Sequence, residues 1–270
     1  MATLEALIFR FVSESPSKLT YTSLARRFRD THGVSAKMIR HTLAAMISSG
    51  ELCYTSMFGR SFIEVSFDRP RKVSEHIVLT PPHRSVDLSD GCRLIRLERG
   101  ASFGAGEHPT TRLSIQLIDK CLHTPSLLKK GRLLQGLDIG TGSGVLALVA
   151  ATLGVERVVG FDIDPCSIHE ARENVRLNHL IDRVIIRHGE PAASTEKFDL
   201  VLANLRPPTL IRLGEVVSQK AQEQSVLIFS GMKTEETPSV EKCYQDAGFK
   251  RVEKRSEKGW SAICLMRGLL

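Results

Sequence analysis

The residues whose types and spacing carry the most chemistry lie between Asp138 and Asp162. The run Asp138-Ile139-Gly140-Thr141-Gly142-Ser143-Gly144 closes an apolar stretch, Leu133–Ile139, and opens another at Val145. A strand that turns into a helix through glycines lets backbone N–H groups approach a ligand with no Cβ in the way. Dinucleotide dehydrogenases have such a loop too, so finer details must separate the two chemistries. Here the spacing is GxGxG rather than GxGxxG, and an acid stands two residues before the first glycine. The next apolar run ends in Asp162, 22 residues beyond Gly140. An acid at that place can accept from both hydroxyls of a ribose. Asp138 suits an ammonium group, which S-adenosyl-L-methionine has and a nicotinamide cofactor lacks. The expected cofactor is therefore S-adenosyl-L-methionine, with Asp138, Gly140, Gly142 and Asp162 in its site. A dehydrogenase, or a fold that has lost its ligand, is the alternative.

A second loop, Phe103-Gly104-Ala105-Gly106-Glu107-His108-Pro109-Thr110-Thr111-Arg112, precedes a helix expected to start near Thr111. Glycines and hydroxyls at a helix N-terminus can cap a carboxylate or close over a reacting group. A plain N-cap explains the threonines but not the two glycines, the phenylalanine and the histidine. His108 reads as a residue that orders this loop rather than as a base.

The elements that must position these residues alternate in type. Leu133–Thr141, Val158–Asp164, Val184–His188, Phe198–Asn204 and Val226–Ser230 are short apolar runs. Helical patterns near 143–153, 166–178, 208–222 and 236–247 separate them. Such alternation predicts an α/β domain with a mostly parallel sheet covered by helices on both faces. Two closing strands, joined through Lys258-Gly259, are expected from about Phe249 to Arg267.

The first part of the chain reads differently. Leu4, Leu7, Ile8, Phe11 and Val12 share one helical face, a second helix runs from about Thr22 to Thr31, and Ser35 caps a third. On that third helix Ile39, Leu43, Met46 and Ile47 face inward, while Lys37, Arg40, His41, Ala44 and Ser48 face outward. Two strands follow, Glu51–Ser56 and Ser61–Phe67, around a turn at Phe58-Gly59-Arg60. This order resembles a small winged helix-turn-helix, in which Lys37, Arg40 and Arg60 would be the nucleic-acid contacts. A module that docks protein, or that only packs, has the same pattern. The expected boundaries are 1–68 for this module, 69–85 for a linker, and 86–270 for the α/β domain.

FGAGEHPTTRL, LDIGTGSGVLALVAATLG, VVGFDIDPCSIHEARENVRLN, FDLVLANL and the late SGM resemble, in order from about Cys92 to Arg267, the PrmA family. Those enzymes methylate a large-subunit ribosomal protein on amino groups. The resemblance implies a class I methyltransferase fold, Rossmann-like with a seven-stranded mostly parallel sheet. It also implies cofactor contacts at Thr111, Gly140, Asp162 and Asn204, and a protein acceptor. The family's own N-terminal recognition domain is missing, with the winged-helix-like module in its place. Ala105 and Glu107 stand where threonine is common, and Leu205-Arg206-Pro207-Pro208 replaces a small apolar continuation after Asn204. An RNA or DNA methyltransferase guided by the first module is the second reading. A non-enzymatic regulator that senses the cofactor and binds DNA is the third.

The bulk numbers narrow the setting. With 42% hydrophobic and 25% charged residues, the composition is that of a globular protein. No apolar run reaches the roughly 18–20 residues of a membrane span, and Met1–Val12 reads as an amphipathic helix, not a signal peptide. Six cysteines without a CxxC pair suggest reduced thiols in a cytoplasmic protein. No cluster of acids or histidines shows metal-ligand spacing, so no metal is expected. The net charge is +7, and residues 1–72, with 11 Lys/Arg against 6 Asp/Glu, hold most of it. That asymmetry points to an acidic partner for the N-terminal part.

Overall fold

A computed structural model describes residues 2–57, 59–98, 100, 102–104, 106–125, 127–128, 134–193 and 195–268. Phe58 of the expected hairpin turn, Ala105 of the second loop and Leu133, the expected start of the central strand, lie outside them. The chain forms two compact units, residues 1–70 and 71–270.

The first unit has three helices, α1 (Leu4–Glu14), α2 (Tyr21–His32) and α3 (Ala36–Ser48), followed by β1 (Leu52–Met57) and β2 (Arg60–Val65). Each helix begins where a hydroxyl can satisfy a free N–H: Thr3, Thr20 and Ser35 accept from Ala6, Ser23 and Met38. Gly33, at φ 64°, ends α2 in the left-handed region. Ile8, Leu24, Ile39, Leu43, Leu52 and Ile63 are sealed in one core, while Lys37, Arg40, His41 and Arg60 are exposed. β1 and β2 pair antiparallel, Tyr54 opposite Ile63.

The second unit opens with β3 (Arg71–Lys72), β4 (Ile77–Thr80) and β5 (Arg93–Arg96), a small sheet in that order. It continues with α4 (Pro109–His123), β6 (Gln135–Ile139), α5 (Val145–Thr152), β7 (Arg157–Asp162), α6 (Pro165–Leu177), β8 (Val184–His188) and β9 (Phe198–Asn204). The rest is α7 (Pro207–Arg212), α8 (Gly214–Lys220), β10 (Ala221–Lys233), α9 (Thr237–Asp246), β11 (Phe249–Glu257) and β12 (Trp260–Arg267). The large sheet has the order β11-β12-β10-β9-β6-β7-β8, parallel from β10 to β8, with β12 antiparallel to both its neighbours.

Both faces are covered, as the near-continuous apolar strands require. Along β9, Leu200 and Leu202 point into a core shared with α4, α5 and α6, while Val201 and Ala203 point into one shared with α7 and α9. α5 is buried throughout from Val145 to Ala151, hence its lack of a polar face. The order reverses at β6, whose neighbours are β7 on one side and β9 on the other. In open parallel sheets a ligand crevice forms outside the carboxyl ends of the strands at such a point.

Two expectations need correction. The segment expected to be a linker carries β3 and β4, and Ile77 and Leu79 belong to the core of the second unit. Ile77-Val78-Leu79 is only a three-residue apolar run, too short for periodicity to reveal, but pairing with β5 buries it. The single helix expected over 208–222 is two short ones that break at Leu213, and the second ends at Lys220 because Ala221 already pairs with Phe198 at the start of β10. The β4 correction can be checked by chemical denaturation of Leu79→Ala. A core leucine should cost about 2–5 kcal/mol, whereas a linker position would change stability by no more than about 0.5 kcal/mol.

Candidate functional site

The glycine turn after β6 is held by its own backbone. Gly140 and Thr141 N–H both donate to the Phe161 carbonyl, at 2.8 and 2.9 Å, and Ser143 N–H donates to the Phe103 carbonyl at 3.0 Å. The packing is too close for side chains: a Cβ at Gly140 would fall 2.5 Å from Leu205, and one at Gly142 2.5 Å from the Phe103 oxygen. Both have positive φ, 68° and 54°. Glycine is thus required twice over.

Above this turn lies a cleft of about 260 Å³, far more than the roughly 30 Å³ that one water occupies. Its wall is drawn from the carboxyl ends of three adjacent strands: Ile139 and Gly140 after β6, Phe161 and Asp162 on β7, Asn204 and Leu205 at β9. Phe103 and Gly104 close one side, and Glu190 and Arg212, an ion pair at 3.0 Å, stand at another.

The residues singled out in the sequence divide among the wall and its supports. Gly140, Gly142, Asp162 and Asn204 line the cleft. The Asp162 carboxylate accepts from Gly142 N–H at 2.8 Å through Oδ2 and from Asp164 N–H at 3.0 Å through Oδ1. Each oxygen keeps a second lone pair. Asn204 donates to Thr111 Oγ1 at 3.5 Å, while its Oδ1 is buried with no hydrogen-bond partner. Ser143 Oγ, beside Gly104, is likewise buried and unpaired. Buried polar atoms left unmatched are uncommon, and here they sit next to an open cleft.

Thr111 and Asp138 stand behind the wall. Thr111 is fully buried in the first turn of α4 and reaches the cleft only through Asn204. Asp138, expected to meet an ammonium group directly, accepts instead from the Thr141 hydroxyl at 2.7 Å and from Ala147 N–H at 3.2 Å. It ties the turn to α5. Burial pushes its carboxyl up to about 7, although both hydrogen bonds pull the other way.

The loop before α4 is ordered through His108, as expected. Its Nδ1 lies 2.8 Å from Thr110 Oγ1 and accepts from Thr110 N–H, and its ring packs edge-on against Trp260 at 4.6 Å. Burial, then the nearby Arg112 and Lys233 charges, lower His108 to about 4, so the ring is neutral near pH 7. Arg112 bonds the Glu107 carbonyl and pairs with Glu257 of β11. Sequence reasoning missed Leu205, Glu190 and Arg212. Gly189-Glu190, just past β8 and so at a strand's carboxyl end, was the available signal.

The profile of the family described as Ribosomal protein L11 methyltransferase (PrmA) matches residues 65–268. The chain belongs to the PrmA family. A PrmA relative, the ribosomal protein L11 methyltransferase of Geotalea daltonii, is 34% identical over 200 residues, covering 73% of this chain and 64% of that protein. That of Fusobacterium nucleatum is 32% identical, covering 73% and 61%. The chain thus spans about three fifths of the length of these curated PrmA relatives. The crystal structure of ribosomal protein L11 methylase from Lactobacillus delbrueckii subsp. bulgaricus superposes with a TM-score of 0.65 at 28% identity, covering 74% of this chain and 98% of that one. A Pyrococcus furiosus methyltransferase shares the fold, with a TM-score of 0.51 at 17% identity. The residues that the family profile matches belong to this chain's second unit and the end of its first.

The burial of Asp138 has a pH signature. The folded protein holds this proton up to about pH 7, whereas the ordinary value is 3.8. The group's stabilising contribution is therefore complete below about pH 4 and is lost as pH rises towards 7. Asp138→Asn keeps an acceptor and cannot ionise, so its melting temperature should fall less than that of the natural protein between pH 4 and 7. Parallel melting profiles would assign the pH dependence to another group.

Proposed function

We propose that this chain transfers the methyl group of S-adenosyl-L-methionine to an amino group of a protein acceptor. The observation that carries the reading is the cleft itself. A ribose-competent carboxylate, Asp162, and an unpaired buried amide oxygen, Asn204 Oδ1, flank a glycine turn too tight for any side chain. The family's name supports the acceptor class, and no described helix is long and apolar enough to cross a membrane.

The residues present fit this cofactor. Gly140 and Gly142 leave room for it, Asp162 has the remaining lone pairs to accept from its ribose hydroxyls, and Ile139, Phe161 and Leu213 supply apolar wall. Asp138 serves by fixing the turn, and Thr111 by orienting Asn204. Bound there, S-adenosyl-L-methionine supplies a methyl group on a cationic sulfonium.

The chain's own work is alignment and exclusion of water, the main demands of an in-line displacement. A lysine acceptor has a reference pKa of about 10.4, so only about one in a thousand is neutral at pH 7.4. Shielding by Phe103 and Leu205, beside a positive centre, favours the neutral amine. Asn204 Oδ1 then accepts one amine N–H and aims the nitrogen lone pair. His108, already neutral and hydrogen-bonded, keeps the loop in place and takes no proton.

The first unit is proposed to choose the acceptor. Every cofactor residue lies in the second unit, while exposed Lys37, Arg40 and Arg60 lie in the first.

Three measurements test these readings. Asp162→Ala should weaken S-adenosylhomocysteine binding about 30–1000-fold, the loss of a charge-assisted contact of roughly 2–4 kcal/mol. An unchanged dissociation constant by calorimetry in a folded variant rejects the assignment. Labelled methyl transfer into a lysate, followed by protease or nuclease digestion, identifies the acceptor class. Replacing Lys37, Arg40 and Arg60 together by alanine should lower apparent acceptor affinity with modest salt dependence if the acceptor is protein. A salt slope flattened by up to about one unit per lost contact would identify a nucleic acid instead.

A further inference from the structure

Away from the cleft, two imidazoles converge on one buried carboxylate. Asp119, on α4, has a side chain only 4% exposed, and its Oδ1 lies 2.7 Å from His76 Nδ1 and 2.9 Å from His123 Nδ1. Asp119 and His123 are four residues apart on one helix face, and His76 comes from the turn between β3 and β4. The two rings stack, with centroids 3.9 Å apart and planes 17° from parallel. Asp119 Oδ2 accepts the backbone N–H of His76 at 2.9 Å, which fixes the carboxylate and leaves Oδ1 to the imidazoles.

We propose that His76 Nδ1, His123 Nδ1 and Asp119 Oδ1 form a binding site for one divalent transition-metal ion, with zinc the best match and water completing four-coordination. One ligand atom from each residue lies within 4.8 Å of the others. Two nitrogens and an oxygen are a donor set that zinc accepts at about 2.0–2.2 Å. Around such an ion neighbouring ligand atoms stand about 3.3 Å apart, so binding requires the two stacked rings to swing apart as the present 2.7 and 2.9 Å separations open. Both rings present Nδ1 to Asp119 Oδ1, and His123 Nδ1 also bonds the Asp119 backbone carbonyl at 2.8 Å, so an ion binding through Nδ1 replaces these hydrogen bonds. Each then carries its proton on Nε2, and the ring edges reach solvent, at 26% and 46% side-chain exposure. The Oδ2 hydrogen bond is the kind of outer contact that orients a ligating carboxylate.

The ion would clamp the β3–β4 turn to the second half of α4. Thr111 lies eight residues earlier on that helix, about 12 Å along its axis at 1.5 Å per residue. The site is therefore structural. It holds the helix whose first turn orients Asn204, and it touches no reacting group.

The test uses the full chain after chelator treatment. Titration with zinc by calorimetry should give one equivalent, and cobalt(II) should give the visible bands of a low-coordinate nitrogen–oxygen site. His76→Ala and His123→Gln should each weaken zinc binding at least about tenfold and abolish the cobalt bands. Cys92→Ser, beside the same turn, should change neither. Zinc should raise the melting temperature of the natural chain and not of the histidine variants. His123→Gln alters a half-exposed side chain, so it remains informative if His76→Ala does not fold. Absence of a stoichiometric site, or one whose affinity both histidine changes leave intact, overturns the proposal.

Discussion

The second unit depends on the close approach of three peptide segments at the end of β6. Leu205, the Phe103 carbonyl and the Phe161 carbonyl all come within contact distance of Gly140-Thr141-Gly142. Because Gly140 and Gly142 carry no Cβ, one turn can donate hydrogen bonds to the loop before α4 and to β7 while packing against the segment after β9. The cleft is the space left over by that convergence. Asp162 and Asn204 are delivered to it at the carboxyl ends of β7 and β9, so fold and site are one constraint seen at two scales.

Asp138 shows what such a convergence demands behind the surface. A carboxyl in a dry position is tolerated because two donors, from Thr141 and Ala147, meet it, and because it links the turn to the helix that follows. Asn204 has the opposite arrangement, with one end of its amide matched by Thr111 and the other left bare. A satisfied buried group reads as support, and an unsatisfied one beside open space reads as a contact awaiting its ligand.

The alternation of apolar runs and helical patterns made the strands and the helical cover readable in advance, and the capping residue Ser35 marked the start of α3. β8 and β9 fall where the sequence put them because each has a short apolar stretch, residues 184–186 and 200–203, flanked by polar residues. Ile77-Val78-Leu79 escaped that reasoning, since three residues carry no period and only the pairing with β5 shows that they are core. The placement of Asp138 could not be read either. Its spacing from Gly140 puts it near a ligand, but whether the carboxyl turns to the cleft or to Ala147 is decided by packing. His76 and Asp119 are 43 residues apart, so their meeting is a product of folding that no local pattern announces.

The strand order also has a consequence during synthesis. β6 is made before β7, which pairs on one of its sides and carries β8 beyond it, yet its other neighbour, β9, comes only some sixty residues later. Until Phe198–Asn204 has emerged from the ribosome, the middle of the future sheet is an open, strongly apolar edge able to pair with any other chain. Asn204 sits at the end of the strand that seals this edge. Closing the edge of β6 and placing this part of the cleft wall are thus the same step of synthesis.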